Sequence, residues 1–162
     1  MKLKTVVCFL LLMLAISQQS FAFFQGFDKP AYYKVIKDGS VDDINKEIDL
    51  VDASAIPEKD AYKGTLLMRK AGLVKKPKDK LAFFKEGRIK LETVIHDNGS
   101  NTEYRFLRLI IQEHAPKITK YRAQVEEDKE YIKKNFSSLS PVVQDVVKDY
   151  SKTSAILHPG DF

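Results

Sequence analysis

Tryptophan is missing from the sequence, cysteine occurs once, and only six prolines and seven glycines stand among its 162 residues. A single cysteine excludes an internal disulfide framework and a cysteine-built zinc site. So few glycines and prolines exclude collagen-like and low-complexity chains. No apolar run approaches the ~20 residues that a membrane-spanning helix requires. The longest is the neutral-to-apolar stretch from Thr5 to Ile16, and nothing after it is comparable. What remains is 44% apolar and 30% charged, with ten phenylalanines and seven tyrosines, enough bulky side chains for the core of one globular domain.

The first 22 residues carry the pattern of an export signal. Lys2 and Lys4 precede the apolar run, Ser17-Gln18-Gln19 breaks it, and Ser20-Phe21-Ala22 supplies the small side chains a signal peptidase accepts, so cleavage is expected after Ala22. Cys8 sits near the start of the run, where it does not suit lipidation. Loss of Lys2 and Lys4 leaves 25 cations against 22 anions, a formal charge of +3, and no cysteine at all. Such a mature chain, Phe23 to Phe162, suits an oxidising periplasmic or extracellular setting in which nucleic acid is not a partner. Asn98-Gly99-Ser100 and Asn135-Phe136-Ser137 match glycosylation acceptors, but the protein is read as bacterial and unmodified.

Apolar residues recur at spacings of three and four from Ala31 to Tyr150, and no stretch alternates with period two, so the mature chain is expected to be all-helical. Asp28 and Pro30 start a first helix with Ala31, Tyr32, Val35 and Ile36 on one face, ended by a left-handed Gly39. Ser40 caps a second, in which Val41, Ile44, Ile48 and Val51 form the stripe and Asp42 and Asp43 occupy the favourable first turn. Pro57 and Glu58 open a third helix to about Ala71. Lys75-Lys76-Pro77-Lys78 makes a basic turn into a fourth, from about Asp79 to Ile95, antiparallel to the third.

Asp97 to Asn101 is the strongest turn in the sequence. Thr102 to Glu113 then forms a fifth helix in which Tyr104, Phe106, Leu107, Leu109, Ile110 and Ile111 leave only Arg105, Arg108 and Gln112 as a polar stripe, marking the centre of the domain. Pro116 ends it. Ile118, Tyr121, Val125, Ile132 and Phe136 are expected to carry a sixth helix with Glu126 to Glu130 as its solvated face. Ser140 and Pro141 begin a seventh, with Val142, Val143, Val146, Val147 and Tyr150 inward. The expected architecture is thus about seven helices stacked as antiparallel hairpins over residues 23–150, followed by a loosely ordered tail, 151–162.

Ala61-Tyr62-Lys63-Gly64 before an apolar run, Gly87, Leu91 and Val94 along the fourth helix, and Asn101-Thr102-Glu103-Tyr104 reopening a helix resemble a tetratricopeptide-type helix-turn-helix repeat. The characteristic tryptophan and proline are missing, and the basic turn lengthens the hairpin. The resemblance implies that Gly64, Gly87 and Leu91 govern close helix approach. It also implies that first helices line a concave groove for a peptide or carboxylate, which would place Lys63, Arg105, Arg108 and Gln112 on that groove. The chain is also similar to small exported bacterial helical proteins, a likeness that implies no activity.

Catalytic motifs are sparse. His96, His114 and His158 lack the spacing that sets two ligands on one helical face, and no Gly-x-Ser-x-Gly elbow or phosphate-cradling loop occurs. Glu92 and His96 make half a metal pair, but His96 reads as an exposed imidazole at a helix end. Asp42-Asp43 and Glu126-Glu127 diverge around their helices and read as surface. No catalytic residue, metal or cofactor is assigned. Two guanidinium groups one turn apart on a covered helix need partners, so Arg105 and Arg108 belong either to internal pairs or to a groove. The expected function is a non-catalytic interaction module binding an envelope protein or peptide. The alternatives are an envelope-surface binder using the basic turn at 75–80, or an unrecognised periplasmic enzyme.

Overall fold

The structure is a computed structural model that describes residues 27–162; the export signal expected over residues 1–22 lies outside the described residues. Among the described residues seven α-helices follow in order: α1 Lys29–Asp38, α2 Val41–Ala53, α3 Lys59–Leu73, α4 Pro77–Asp97, α5 Thr102–His114, α6 Val125–Lys134 and α7 Pro141–Ser151. Among the described residues there is no strand, and no helix is long and apolar enough to cross a membrane.

Local chemistry sets most boundaries. Ser40 accepts from the Asp43 amide at 3.2 Å while the Asp43 carboxylate accepts from the Ser40 amide at 3.0 Å, a reciprocal cap that starts α2. Asn101 caps α5 and Ser140 caps α7, with Pro141 at the first helical position. Gly39 ends α1, but in extended backbone at φ −67° rather than in the left-handed region expected for it. The next residue must be extended to cap α2, and the glycine is needed for room: a Cβ there would lie 2.5 Å from the Val35 carbonyl oxygen.

α3 and α4 form an antiparallel hairpin, joined by the three residues 74–76. Asp60 meets Lys90 near one end, and Lys70 lies over the Phe83 ring near the other. Between them the backbones touch at two glycines. A Cβ on Gly64 would lie 2.7 Å from the Gly87 carbonyl oxygen, and one on Gly87 would strike the Gly64 carbonyl and Met68. α3 packs on α1, α2 and α5 as well, so it is covered on most sides, with Tyr62, Leu66 and Ala61 closed to solvent. α5 is the second covered element, its Phe106, Leu107 and Leu109 buried between α3, α4 and α6.

Beyond α5 the expected start of the sixth helix and the expected loose tail both fail, and Val142, expected inward on α7, is exposed. The sixth helix does not begin near Ile118: residues Lys117–Thr119 make a single 3-10 turn, Lys120 takes a left-handed conformation at φ 51°, and α6 starts only at Val125. Ile118 is therefore off any helical stripe and is 90% exposed. The tail is not loose either. Leu157 is fully buried, Phe162 packs on Phe136 with ring centroids 4.7 Å apart, and Asp161 pairs with Lys133 at 3.1 Å. A short chain end holds its place when one apolar anchor and several hydrogen bonds offset the entropy of ordering it.

Candidate functional site

The polar stripe of α5 is the centre of an ionic network under α6. Arg108 donates from Nε to Asp128 Oδ2 and from Nη2 to Asp128 Oδ1, both at 2.7 Å, and from Nη1 to Glu92 on α4 at 2.9 Å. Burial alone would lower the Arg108 pKa, but Asp128 and then Glu92 reverse this and raise it, so the guanidinium stays charged. Tyr121 donates to the other oxygen of Glu92, and its burial, reinforced by that carboxylate, raises the phenol pKa. One carboxylate of α4, one of α6 and one arginine of α5 thereby tie three helices together.

Arg105, one turn earlier, donates to the Gly99 carbonyl at 2.9 Å, to Glu127 at 2.7 Å and to Asp128 at 3.2 Å. Its guanidinium lies 4.3 Å from the Tyr131 ring centroid. The hydrogen bond from Arg105 holds the Glu127 carboxyl below its ordinary range. Gln112, wholly buried, donates to Gln124 at 3.1 Å, while its own amide oxygen has no partner. The structure thus brings Arg105, Arg108 and Gln112 together, but beneath α6 and the segment before it. This is the internal-pairing arrangement, not a surface open to a ligand.

Lys63 stands apart from them, on α3, and pairs with Asp52 at the end of α2 at 2.6 Å. The expectation that residues 126–130 form one solvated charged face is corrected at Asp128, which is closed to solvent. The signal was in the sequence: Val125, Asp128 and Ile132 stand at offsets of zero, three and seven, so the carboxylate lies on the buried stripe of α6.

A second polar cluster went unrecognised in the sequence. Glu103, buried on α5, accepts from the Tyr62 hydroxyl at 2.6 Å, the Tyr33 hydroxyl at 3.0 Å and Lys29 at 2.8 Å, joining α1, α3 and α5 on one carboxylate. Phe27 stacks on Tyr62, and Tyr32 packs against both rings at a tilt. With three donors from α1 and α3, this carboxylate of α5 serves as a lock.

His96 is exposed beside Asp97, as its place at a helix end implied. Among the described residues no group of three or more His, Cys, Asp or Glu side chains is placed to hold a metal ion.

The surface not used in this internal pairing lies on the outer side of α4. Leu81 is 70% exposed and Ile89 57%, and with Lys85 they form one line along the helix, four residues apart. The Lys75–Lys80 turn caps one end of this line. The loop before α6 lies alongside it, because the Tyr121 ring meets Phe84 edge-on at 5.5 Å and lies 5.0 Å from the Arg88 guanidinium.

No protein-family model, no curated protein and no solved structure matches this chain.

Proposed function

We propose that this protein is an exported, non-catalytic helical docking module of the bacterial cell envelope, and that its working surface is the outer face of α4 rather than the α5 stripe. The observation that carries this reading is the pair of exposed side chains Leu81 and Ile89 on one line of a helix whose opposite face sets Gly87 and Leu91 against Gly64 of α3. Aligned in this way, the two aliphatic side chains supply the apolar part of a contact surface. The close approach of Gly64 and Gly87 supports reading α3–α4 as a tetratricopeptide-like element that presents this face rigidly. The pattern of residues 1–22 supports export.

The test is fractionation. Expressed from its own start in a bacterium with two membranes, the protein is expected to emerge with Phe23 as its first residue and to sediment with the envelope. The double variant Leu81→Asp/Ile89→Asp is expected to melt like the parent, since both positions are exposed, and to stay in the soluble fraction. If the parent is as soluble as the variant, α4 is not a docking face.

A further inference from the structure

We propose that the partner of this face is an anionic lipid surface, and that the 117–122 loop forms part of the same contact. The inference rests on the docking reading above and names what is docked upon.

Three observations converge on it. The first is charge. Residues 73–89 contain six cations against the two anions Asp79 and Glu86, and residues 115–124 contain three cations and no anion. The second is that these cations are uncommitted. Lys29, Lys37, Lys63, Lys90, Lys133 and Lys152 each pair with a carboxylate, whereas Lys75, Lys76, Lys78, Lys80 and Lys85 pair with none among the described residues. All five are solvent-exposed.

The third observation concerns the apolar side chains set among those charges. Leu81 and Ile89 project from α4, and the turn made by Lys117–Thr119 and the left-handed Lys120 puts Ile118 into solvent at 90% exposure. Tyr121 fixes this loop against Phe84, Arg88 and Glu92 along the middle of α4, so Ile118 stands on a loop beside the helix that carries Leu81, Lys85 and Ile89. A polyanion such as nucleic acid would use the cations and leave the aliphatic groups idle. An anionic bilayer uses both: the aliphatic tips enter the boundary between headgroups and acyl chains, and flexible lysines reach the phosphates along their own stems. Electrostatic attraction to an acidic leaflet multiplies the partition coefficient by about five for each nearby lysine.

The experiment is sedimentation of the exported protein with vesicles of phosphatidylglycerol and phosphatidylcholine, and with vesicles of phosphatidylcholine alone. Binding is expected only to the anionic vesicles and is expected to fall as salt is raised, because exposed charges are screened. Lys75→Gln/Lys76→Gln is expected to lower the partition coefficient about 25-fold, and Ile118→Asp by at least about ten-fold. Lys37→Gln, which removes a cation already paired with Asp149, is expected to leave binding unchanged, and thermal melts confirm that each variant is folded.

Anionic-vesicle binding that ignores Ile118→Asp is adsorption by charge alone and overturns the proposal. No binding to anionic vesicles at low salt also overturns it. In that case, envelope retention that still depends on Leu81 and Ile89 would show a protein partner and leave the docking reading standing, whereas loss of both results would remove the two together.

Discussion

Arg108 and Asp128 meet as a two-pronged pair, Nε to Oδ2 and Nη2 to Oδ1 at 2.7 Å each, with the carboxylate closed to solvent. Removing one member of a buried pair strands the other, at a cost of about 3–5 kcal/mol. Asp128→Asn and Arg108→Glu are therefore expected to lower the melting temperature by roughly 10 °C. The double variant Arg108→Met/Asp128→Leu, with no charge left to strand at that pair, is expected to recover much of the loss. A melt of Arg108→Glu within about 2 °C of the parent would show the pair to be dispensable.

The three glycines of the α3–α4 hairpin are expected to behave oppositely. Gly64→Ala and Gly87→Ala put a methyl group against the facing backbone carbonyl, and overpacking of this kind costs about 1–3 kcal/mol. Gly72 has open space where a Cβ would go, so Gly72→Ala is expected to stabilise the domain by up to about 1 kcal/mol through helix propensity. Urea unfolding of the three variants checks both signs.

Acid is expected to loosen the chain end. Burial pushes the Glu113 carboxyl up, but hydrogen bonds from Tyr150, Ser154 and the Ala155 amide outweigh it and hold the pKa below its ordinary value. A carboxylate depressed in the folded state stabilises fully above its unfolded pKa and loses that contribution as pH falls through the folded one. Glu113→Gln is thus expected to melt below the parent at neutral pH, with the gap closing under about pH 4. A gap that stayed constant with pH would assign the effect to packing.

Leu157 is the apolar anchor of the same segment. Leu157→Ala is expected to cost about 2–5 kcal/mol and to open residues 152–162 to proteolysis before the helices. Equal protection of that segment in parent and variant would place its anchorage elsewhere.

The parts of this fold that could be read from the sequence are those governed by neighbours a few residues apart. Ser40 with Asp43 and Ser140 with Pro141 announce α2 and α7 because a cap and its helix are contiguous. The stripes of α2 and α5 follow from the helical repeat alone. The loop before α6 is not legible in the sequence, because Ile118 and Tyr121 continue an apolar spacing through residues that do not form one continuous helix. Tyr121 is buried by Phe84 and Glu92, and Ile118 by nothing. The α5 stripe was visible as a need for partners, but their identity depended on α4 and α6, 16 and 20 residues away. Glu103 was hidden for the same reason: its donors lie 41, 70 and 74 residues earlier.

That spacing also fixes an order of events. The carboxylate that fastens Tyr33 becomes available only after 70 further residues have been added. A chain synthesised or threaded across a membrane from its N-terminus therefore holds α1 without its lock while Tyr32, Tyr33 and Ile36 still present an apolar face. Until residue 103 follows, Tyr33 and Tyr62 lack the acceptor they share in the finished fold, and apolar surface left open at that stage favours aggregation. Closure of the first helix onto the fifth supplies that acceptor and ends the exposure.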